Sequence, residues 1–597
     1  MSSTQRRRGA GADLGGFAVL GVIAAVALGG GVMWAGLHLG AMLTGEQLQL
    51  PTNNPVVLPI HVIKGEVVFS TAALVATGAL VLFLVLLAIT VTVLVLRRRK
   101  PNRDVDRAAH HMASGKELAR LSRAHVTREA KRLGVRGSVG VFLGHSVAGR
   151  RELLADYEST EVNIWGPRTG KTTSRAVPVI LEATGAVLAT SNRRDLADAV
   201  RDPREALGRV WVFDPQQVVG EPATWWWNPL SYVTSGPAGP EVKAQQLAGI
   251  FAAAALPPEA REDAYFDPEG TELVGHLLHA AAEARLPISQ VYLWVTEPSN
   301  GEPARILEDA GYPLSAAAVR SVVNAPPKQS QGVYGAAKRR VSFLTNVGAL
   351  DWITAGSRAG REEFDHATFA DTSDTLLLVS REGRGSLAAL TTALTAAVCE
   401  AAEHRASRSP GGRLASPMTV VLDEVANVCR WPDLPNLYSH FGGRGIYLLA
   451  ILQSWSQGVE VWGPRGMAKL WSAASVRIYG GGASEVDFLR ELSTLVGHYR
   501  PRTSSATTGR SGRSVNHSET SEEVLDVSDL GALRRGRVIV FPSGVRPVLV
   551  EPRPWYSTDY ADSVRASIRA HDPAAEVTLA EHDVAPAGAI GARLGRR

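Results

Sequence analysis

A glycine-rich turn followed by a lysine and two threonines is the stretch with the clearest chemical meaning in this 597-residue sequence. An apolar run that ends at Trp165 leads into the turn, and a helical pattern follows from Ala176. Strand, glycine turn, Gly-Lys-Thr and helix are the parts of a phosphate-binding loop (P-loop), whose backbone N–H groups surround a polyphosphate. The predicted nucleotide-binding residues are Gly166, Pro167, Arg168, Thr169, Gly170, Lys171, Thr172 and Thr173.

Two side chains of this loop have predicted roles. Lys171 is expected to reach the β- and γ-phosphates, and Thr172 to place its hydroxyl on Mg²⁺. One position departs from the G-x-x-x-x-G-K-[ST] pattern: Trp165 stands where the first glycine is expected, and Gly166 follows one place late. The tripeptide alone is weak evidence, so the prediction depends on its setting between a strand and a helix.

A pair of carboxylates follows a second apolar run, about 250 residues after Lys171. The run 418–422 ends in Asp423 and Glu424. An aspartate at the end of a strand can hold Mg²⁺, and an adjacent glutamate can activate the water that attacks the γ-phosphate. An apolar-Asp-Glu motif alone is usually structural, but downstream of a P-loop it predicts ATP hydrolysis.

Two more polar residues flank the next apolar run, 446–452. Gln453 ends this run, where it is predicted to sense the γ-phosphate or orient water. Arg444, in a Gly-Arg-Gly segment before the run, is either an arginine finger that acts across a subunit interface or an ordinary surface guanidinium. The sequence leaves both possibilities for Arg444 open.

Two uncharged apolar stretches, 14–37 and 67–96, are each long enough to cross a bilayer. A signal peptide is the alternative for the first stretch, but that stretch is long for one and a second follows. Arginines precede the first stretch and follow the second, whereas the connecting loop has Lys64 as its one lysine or arginine. The positive-inside rule then predicts a two-helix transmembrane hairpin with both termini in the cytoplasm.

Composition argues against several kinds of site. The net charge of +5 is a mild basic bias and is not by itself an argument for nucleic-acid binding. The two cysteines, Cys399 and Cys429, lie in apolar surroundings. They are typical of small buried hydrophobic residues in a reducing compartment rather than of a disulfide or a zinc site.

Strand-like runs alternate with helical patterns on both sides of a purely helical segment. This alternation predicts an α/β fold with a parallel sheet covered on both faces, into which an all-α domain is inserted. The charged segment 101–135 lies between the second span and this α/β fold. It is either a solvated linker or a segment that touches lipid headgroups or nucleic acid. The predicted organisation is a basic disordered start (1–13), the transmembrane hairpin (14–96), a juxtamembrane linker (97–135), a nucleotide-binding domain in two parts (136–234 and 366–560), the all-α domain (235–365), a mobile loop (500–523) and a weakly ordered tail (561–597).

The order of these motifs resembles that of the coupling proteins of type IV secretion and bacterial conjugation, the TraG/TraD-type ATPases. The resemblance covers about residues 14–560 and includes two departures. Trp165 stands where the family usually has a small residue, and Ser191-Asn192-Arg193-Arg194 stands where the family often has an Asp-Pro-Lys-Gly turn. The motifs that carry it are the two spans, the P-loop, Trp227-Asn228-Pro229-Leu230, Asp423-Glu424, Gly-Arg444-Gly, Gln453-Ser-Trp-Ser-Gln457 and Gly480-Gly481-Gly482.

This resemblance implies a membrane-anchored, RecA-like motor that uses ATP and Mg²⁺. Such proteins assemble as homohexamers, receive a relaxase bound to single-stranded DNA, and pass it to the membrane proteins of a secretion channel. By motif matching, Lys171 and Thr172 are the phosphate and Mg²⁺ residues, Asp423 is the metal carboxylate, Glu424 the catalytic carboxylate, and Gln453 the γ-phosphate sensor.

Other functions compete with this one. A double-stranded DNA pump of the FtsK/SpoIIIE kind would usually end in a winged helix, for which the residues after Pro554 are too few. A nucleotide-gated substrate receptor with little turnover would have no need of Lys171, Asp423 and Glu424. The cargo, whether plasmid, integrative element or protein effector, is left open, and segment 235–365 is expected to select it.

Overall fold

The structure is a computed structural model, and it divides into two units, residues 1–102 and 103–597. The predicted basic start, 1–13, lies outside the described residues. The residues that the structure describes are 14–45, 48, 50–98, 104–255, 263–356, 360–383, 387–500, 502–509, 512–519 and 521–583.

The first unit consists of helices α1 (Leu14–Thr44), α2 (Leu58–Ile63) and α3 (Thr71–Arg98). Helices α1 and α3 approach closely because glycines of α1 face small residues of α3. A side chain added at Gly36 would overlap Thr77, and one added at Gly40 would overlap Ala73. Small residues at such contacts are typical of helix pairs that associate in membranes.

Helix α3 contains the segment that can cross a membrane. Among the described residues, Thr71–Thr90 is the one stretch that meets the length and composition of a span, with a mean hydropathy of 2.8. Its large apolar side chains are mostly exposed, including Leu82 and Phe83. The structure therefore supports the second predicted span, whereas the first span and the two-span topology remain predictions.

The second unit is an α/β structure with a helical insertion. Its strands are β1 (Val141–Ser146), β2 (Glu152–Ala155), β3 (Glu161–Ile164), β4 (Val187–Ser191), β5 (Val210–Phe213), β6 (Trp225–Trp226), β7 (Glu362–Glu363), β8 (Thr375–Val379), β9 (Met418–Leu422), β10 (Ile446–Leu452), β11 (Val476–Tyr479), β12 (His498–Tyr499), β13 (Arg502–Gly509), β14 (Gly512–Glu519), β15 (Glu522–Glu523), β16 (Val538–Pro542) and β17 (Val548–Glu551).

Helices cover both faces of the sheet and form the insertion. They are α4 (Asp104–Ala108), α5 (Arg123–Arg132), α6 (Val177–Glu182), α7 (Arg194–Glu205), α8 (Pro229–Val233), α9 (Pro240–Ala255), α10 (Phe266–Glu283), α11 (Ser289–Thr296), α12 (Glu302–Asp309), α13 (Pro313–Val323), α14 (Pro327–Arg340), α15 (Val347–Ile353), α16 (Ala388–Ser407), α17 (Val425–Val428), α18 (Leu434–Gly443), α19 (Trp455–Ala473), α20 (Val486–Val496), α21 (Val527–Gly531), α22 (Ala561–His571) and α23 (Ala575–Asp583).

The main sheet has the strand order β2-β1-β17-β16-β11-β3-β10-β9-β4-β8-β5. The strands from β11 to β5 are parallel, and the remaining pairs, from β11 to β2, are antiparallel. Every residue of β3, β9 and β10 is buried, as expected for central parallel strands covered on both faces. The carboxyl ends of these three strands meet at one edge of the sheet.

The helical insertion leaves the sheet after β5 and returns at β8. Helices α9 to α15 occupy this interval, and their core includes Phe251, Leu277 and Trp294. Two of the three consecutive tryptophans before the insertion, Trp225 and Trp227, are buried core residues. The Trp225 ring meets the Trp352 ring edge to face at 5.4 Å.

Three segments differ from the sequence-based predictions. The segment 104–135, predicted as a linker, packs on the second unit: Met112 and Leu118 are buried, and Ala113 N donates a hydrogen bond to Pro547 O at 2.9 Å. Segment 500–523, predicted as a mobile loop, contains the antiparallel pair β13–β14. Strand pairing uses backbone groups that any residue supplies, so a polar hairpin gives no apolar alternation to detect.

The tail also differs, because α22 docks on the core instead of being weakly ordered. Val564 and Ile568 of α22 are buried against α7, and the hydroxyl of Ser567 donates to the backbone oxygen of Asp198 at 2.6 Å. Few apolar residues are enough to dock one short helix, which makes such a helix hard to recognise in a polar tail. Residues 584–597 of the predicted tail lie outside the described residues.

A buried polar network joins the P-loop helix to the sheet. Glu161 at the start of β3 accepts a hydrogen bond from Arg175 Nε at 2.7 Å and another from the hydroxyl of Tyr447 at 2.5 Å. All three side chains are buried. Burial lowers the pKa of Arg175, but the neighbouring Glu161 outweighs burial and the pKa is raised. Arg175 thus stays charged, and its hydrogen bonds to Glu161 fix the helix after the P-loop against β3.

We predict that Arg175→Met destabilises the protein by about 3–5 kcal/mol, because it leaves the Glu161 carboxylate buried without its partner. The matched control is Arg123→Ala, which removes an exposed ion pair with Glu152 and should cost about 0–1 kcal/mol. Thermal unfolding of the full-length chain in detergent, followed by tryptophan fluorescence, compares the two. Equal shifts in the two midpoints would contradict a structural role for the buried pair.

Candidate functional site

The P-loop begins where β3 ends and is held from two sides. Trp165 N donates a hydrogen bond to Leu452 O, the last residue of β10, at 2.9 Å. Gly166 N donates to Gly481 O, just after β11, also at 2.9 Å. The loop is therefore attached to both strands that flank β3. It ends in a π-helical turn, Thr172–Ala176, that leads into α6.

Trp165 occupies the core beneath the loop instead of its mouth. Its indole ring is buried, and a side chain added at Gly480 would overlap that ring. A side chain added at Gly166 would lie 2.5 Å from Gly482 O. The glycines after β11 therefore make room for the tryptophan and for the loop backbone, which explains how a bulky residue replaces the first glycine of the motif.

The hydroxyl groups of the loop divide into two kinds. Thr169 donates to Gly166 O at 2.5 Å and Thr173 to Gly170 O at 3.1 Å, so both stabilise the loop itself. The Thr172 hydroxyl has no hydrogen-bond partner among the described residues, and is thus the one left for a metal ion or a phosphate. Gly170 adopts a φ of +97°, which few other residues tolerate.

The two carboxylates follow β9. Asp423 and Glu424 are both buried, and the hydroxyl of Thr190 on β4 donates to Asp423 O at 3.1 Å. Glu424 has left-handed backbone angles (φ 55°, ψ 43°) immediately before α17. A non-glycine residue in this region costs on the order of 1–3 kcal/mol, and such strain is concentrated at functional sites.

Four of the residues predicted from the sequence meet at this point. The ammonium group of Lys171 is in contact with Glu424 Oε1 and lies 3.6 Å from Asp423 Oδ1. Gln453 Nε2 donates to the same Glu424 oxygen at 2.7 Å. The structure thus brings together the lysine of the P-loop, both carboxylates and the glutamine at the ends of β3, β9 and β10.

Asp423 has a strongly perturbed acidity. Burial raises its pKa to about 6; Lys171 opposes the rise, and Asp195 adds to it. Its Oδ1 atom is buried and accepts no hydrogen bond from the described residues. An unsatisfied buried carboxylate oxygen fits a metal ligand, because a cation supplies the missing partner and holds the group ionised.

Mg²⁺ could be held here by Asp423 and Thr172. Mg²⁺ is usually bound by one or two protein groups together with water and the phosphates of a nucleotide, so one carboxylate and one hydroxyl are a sufficient protein contribution.

Glu485, which no sequence motif singles out, positions the segment after Gln453. Its two carboxylate oxygens accept hydrogen bonds from the backbone N–H groups of Trp455 and Ser456, both at 2.8 Å. A carboxylate at the start of α19 is favoured by the helix dipole and fixes the turn that carries Gln453. The signal was an acidic residue shortly after the glycine segment 480–482.

Arg444 is not part of this cluster. It lies before β10, at the opposite edge of the sheet, and a seven-residue strand separates it from Gln453 by about 23 Å. Its guanidinium donates to Gly412 O at 3.2 Å. Arg444 therefore does not reach the P-loop of its own chain, and its role as an arginine finger stays a prediction that needs a second subunit.

Comparison with known families supports the resemblance seen in the sequence. Residues 417–535 match the family described as the TraM recognition site of TraD and TraG, and this confirms the resemblance to TraG/TraD-type coupling proteins. The matched range contains Asp423, Glu424 and Gln453. No curated protein sequence matched this chain.

Solved structures of similar shape include three of the coupling protein TrwB. The complex of plasmid TrwB with the non-hydrolysable ATP analogue ADPNP is 15% identical with a TM-score of 0.51, and the match covers 73% of this chain and 92% of that one. A trigonal form of TrwBΔN70 with sulphate is 15% identical (TM-score 0.50, covering 72% and 92%). The complex of TrwB with ADP and Mg²⁺ is 15% identical (TM-score 0.49, covering 74% and 93%).

At this identity, the first two matches establish the fold alone. They confirm the predicted RecA-like α/β core with its inserted helical segment.

We predict that Asp423→Asn stabilises the nucleotide-free protein near neutral pH. With a folded-state pKa of about 6 and an ordinary value of 3.8, the native state binds the proton more tightly than the unfolded state. Ionised Asp423 therefore lowers the free energy of unfolding. This loss grows as the pH rises from about 4 to about 6. Above that pH it is constant and amounts to at most about 3 kcal/mol.

The prediction is tested by measuring the melting temperatures of the full-length wild-type and Asp423→Asn proteins from about pH 4 to above pH 6. The difference between the two melting temperatures should grow with pH and then level off. Asp371→Asn, which changes an exposed carboxylate, should show no such trend. A pH-independent difference for Asp423→Asn would contradict the raised pKa.

Proposed function

We propose that this protein is a membrane-anchored ATPase that couples a relaxase bound to single-stranded DNA, or a protein substrate, to a type IV secretion channel and drives its transfer. The observation that carries the proposal is the meeting of Lys171, Asp423, Glu424 and Gln453 at the ends of three adjacent parallel strands. The match of residues 417–535 and the fold shared with TrwB bound to ADPNP support it.

ATP would bind at the P-loop. Backbone N–H groups of the loop and the start of the following helix would hold the phosphates. Lys171 would leave Glu424 and move to the β- and γ-phosphates. Asp423 and Thr172 would hold Mg²⁺, which neutralises charge on the phosphate oxygens when bound.

Hydrolysis would depend on Glu424. Released from Lys171, its carboxylate accepts a proton from water while the water oxygen attacks the γ-phosphorus, and the bond to the bridging oxygen of ADP breaks. Gln453, which donates to Glu424 Oε1 at 2.7 Å, orients this carboxylate. In the nucleotide-free state the lysine neutralises the base, so water is not activated until phosphates compete for the lysine.

The setting of this motor follows from the rest of the chain. The segment Thr71–Thr90 supports an anchor in the bacterial cytoplasmic membrane. We propose that 14–37 also spans this membrane, with both termini of the chain in the cytoplasm. A homohexamer would surround the transferred strand, with basic loops that contact its phosphates. The helical insertion would select the cargo, and the channel proteins would be contacted near the membrane.

A nucleotide-gated receptor with little turnover is the second candidate. One observation favours it: the contact between Lys171 and Glu424 holds both groups away from their roles in hydrolysis.

The proposed motor function is tested by measuring ATP hydrolysis by the full-length chain with and without single-stranded DNA. We predict that Glu424→Gln lowers the turnover rate by roughly 10²–10⁴-fold and retains ATP binding, because it removes only the proton acceptor. The matched control is Glu491→Gln, an exposed position on α20, which should leave the rate unchanged.

DNA-stimulated hydrolysis that depends on Glu424 supports the motor. ATP binding without turnover, unaffected by DNA, favours the gated receptor instead.

We further predict that binding of single-stranded DNA weakens steeply with salt, because neutralised phosphates release counterions. Titrations of the full-length chain with a fluorescent oligonucleotide at several salt concentrations give the slope. Lys171→Ala, measured without nucleotide, serves as control and should give the wild-type slope, since Lys171 is paired with Glu424 at the nucleotide site. Affinity that does not depend on salt would contradict contacts to the phosphate backbone.

A further inference from the structure

A tight turn between α21 and β16 lies beside the P-loop. The turn consists of residues 534–537 and is closed by a hydrogen bond from Arg537 N to Arg534 O at 3.2 Å. Strand β16 runs antiparallel to β11, with Ile539 opposite Tyr479. The turn before β16 therefore lies at the edge of the sheet where β3 ends and the P-loop begins.

Arg535, in the middle of this turn, reaches the last glycine of the loop. A methyl group built on Gly170 would lie 3.1 Å from Arg535 Nε and 3.7 Å from its Cγ. Gly170 directly precedes Lys171. The Arg535 side chain thus extends across the outer side of the P-loop, where it is exposed to solvent.

Both ends of the turn are fixed. On one side Leu533 is buried, and its carbonyl oxygen would lie 2.7 Å from a methyl group built on Gly481. On the other side Arg537 makes two hydrogen bonds to the carboxylate of Asp106, at 2.7 and 3.0 Å, in a largely buried ion pair. The backbone that carries Arg535 is therefore held in place before any ligand binds.

The charge of Arg535 is available for a ligand. Among the described residues, no carboxylate forms an ion pair with Arg535, whereas Arg537 in the same turn is paired with Asp106. Arg534 also has no carboxylate partner in the described part of the chain, but no contact places it at Gly170. This difference in position makes Arg534 a matched control.

We infer that Arg535 contacts the phosphate groups of a nucleotide bound in the P-loop of its own chain. The inference rests on the proposed function and adds a residue to its site. A guanidinium offers several N–H donors in a rigid plane that matches two phosphate oxygens at once. Arg535 lies beside the P-loop of its own chain. Arg444, in contrast, lies at the far edge of the sheet and can reach a nucleotide only in another subunit.

The test is a binding titration of the full-length chain in detergent with a fluorescent ATP analogue, ADP and inorganic pyrophosphate as probes. Arg535→Ala should weaken binding roughly tenfold or more, since it removes hydrogen bonds to a charged group. Arg535→Lys keeps the charge but loses the planar fork, so its affinity should lie in between. Arg534→Ala should change affinity by less than about twofold.

The outcomes separate this inference from the proposed function. Equal affinities for Arg535→Ala and Arg534→Ala overturn the inference, whatever the hydrolysis rate. A wild-type protein that binds the probes through Arg535 but does not turn over ATP overturns the motor and keeps the inference. A wild-type protein that binds none of the three probes overturns both. Unchanged melting temperatures without ligand show that the variants are folded.

Discussion

Parallel pairing of β3 with β10, and of β10 with β9, determines where the site can form. The register places Ile164 beside Leu452, and Ala450 beside Leu422. Lys171, Gln453 and the two carboxylates follow these strand ends, so the sheet alone brings together segments that are far apart in sequence. The network of Glu161, Arg175 and Tyr447 fixes the P-loop helix to the same strands from below. A shift of one residue would separate the lysine from the carboxylates.

In the proposed function, the Glu424 carboxylate and the phosphates of a nucleotide compete for the ammonium group of Lys171. Without nucleotide, Lys171 neutralises Glu424 in a buried setting, where a lone charge of either sign would be costly. In the proposed mechanism, phosphates would offer the lysine a stronger partner, and its departure would expose a carboxylate that Gln453 already contacts. The energy of nucleotide binding would then be linked to the state of the proposed base without a large movement of the backbone. Arg535 would add a second cation on the outer side of the loop.

Local motifs were enough to predict the four residues that meet at the strand ends, because the P-loop, the Asp-Glu pair and the glutamine after the next strand are short patterns with a defined chemistry. The supporting residues could not be found in this way. The supporting contacts form only when the chain has folded. They join Arg175 to Glu161, Glu485 to Trp455, and Arg535 to Gly170. The departure at Trp165 is explained by Gly480, which is more than 300 residues further along. The polar hairpin and the docked helix α22 were missed because neither needs a long apolar period.

The left-handed backbone of Glu424 has a consequence for how the protein can change. A glycine at this position would relieve the backbone strain, but it would leave the Lys171 ammonium without its buried partner and would remove the proposed base. The strain at Glu424 is therefore retained by the same ion pair that neutralises this carboxylate. A substitution that relaxes the backbone here would raise stability only if it also supplied a new partner for the lysine.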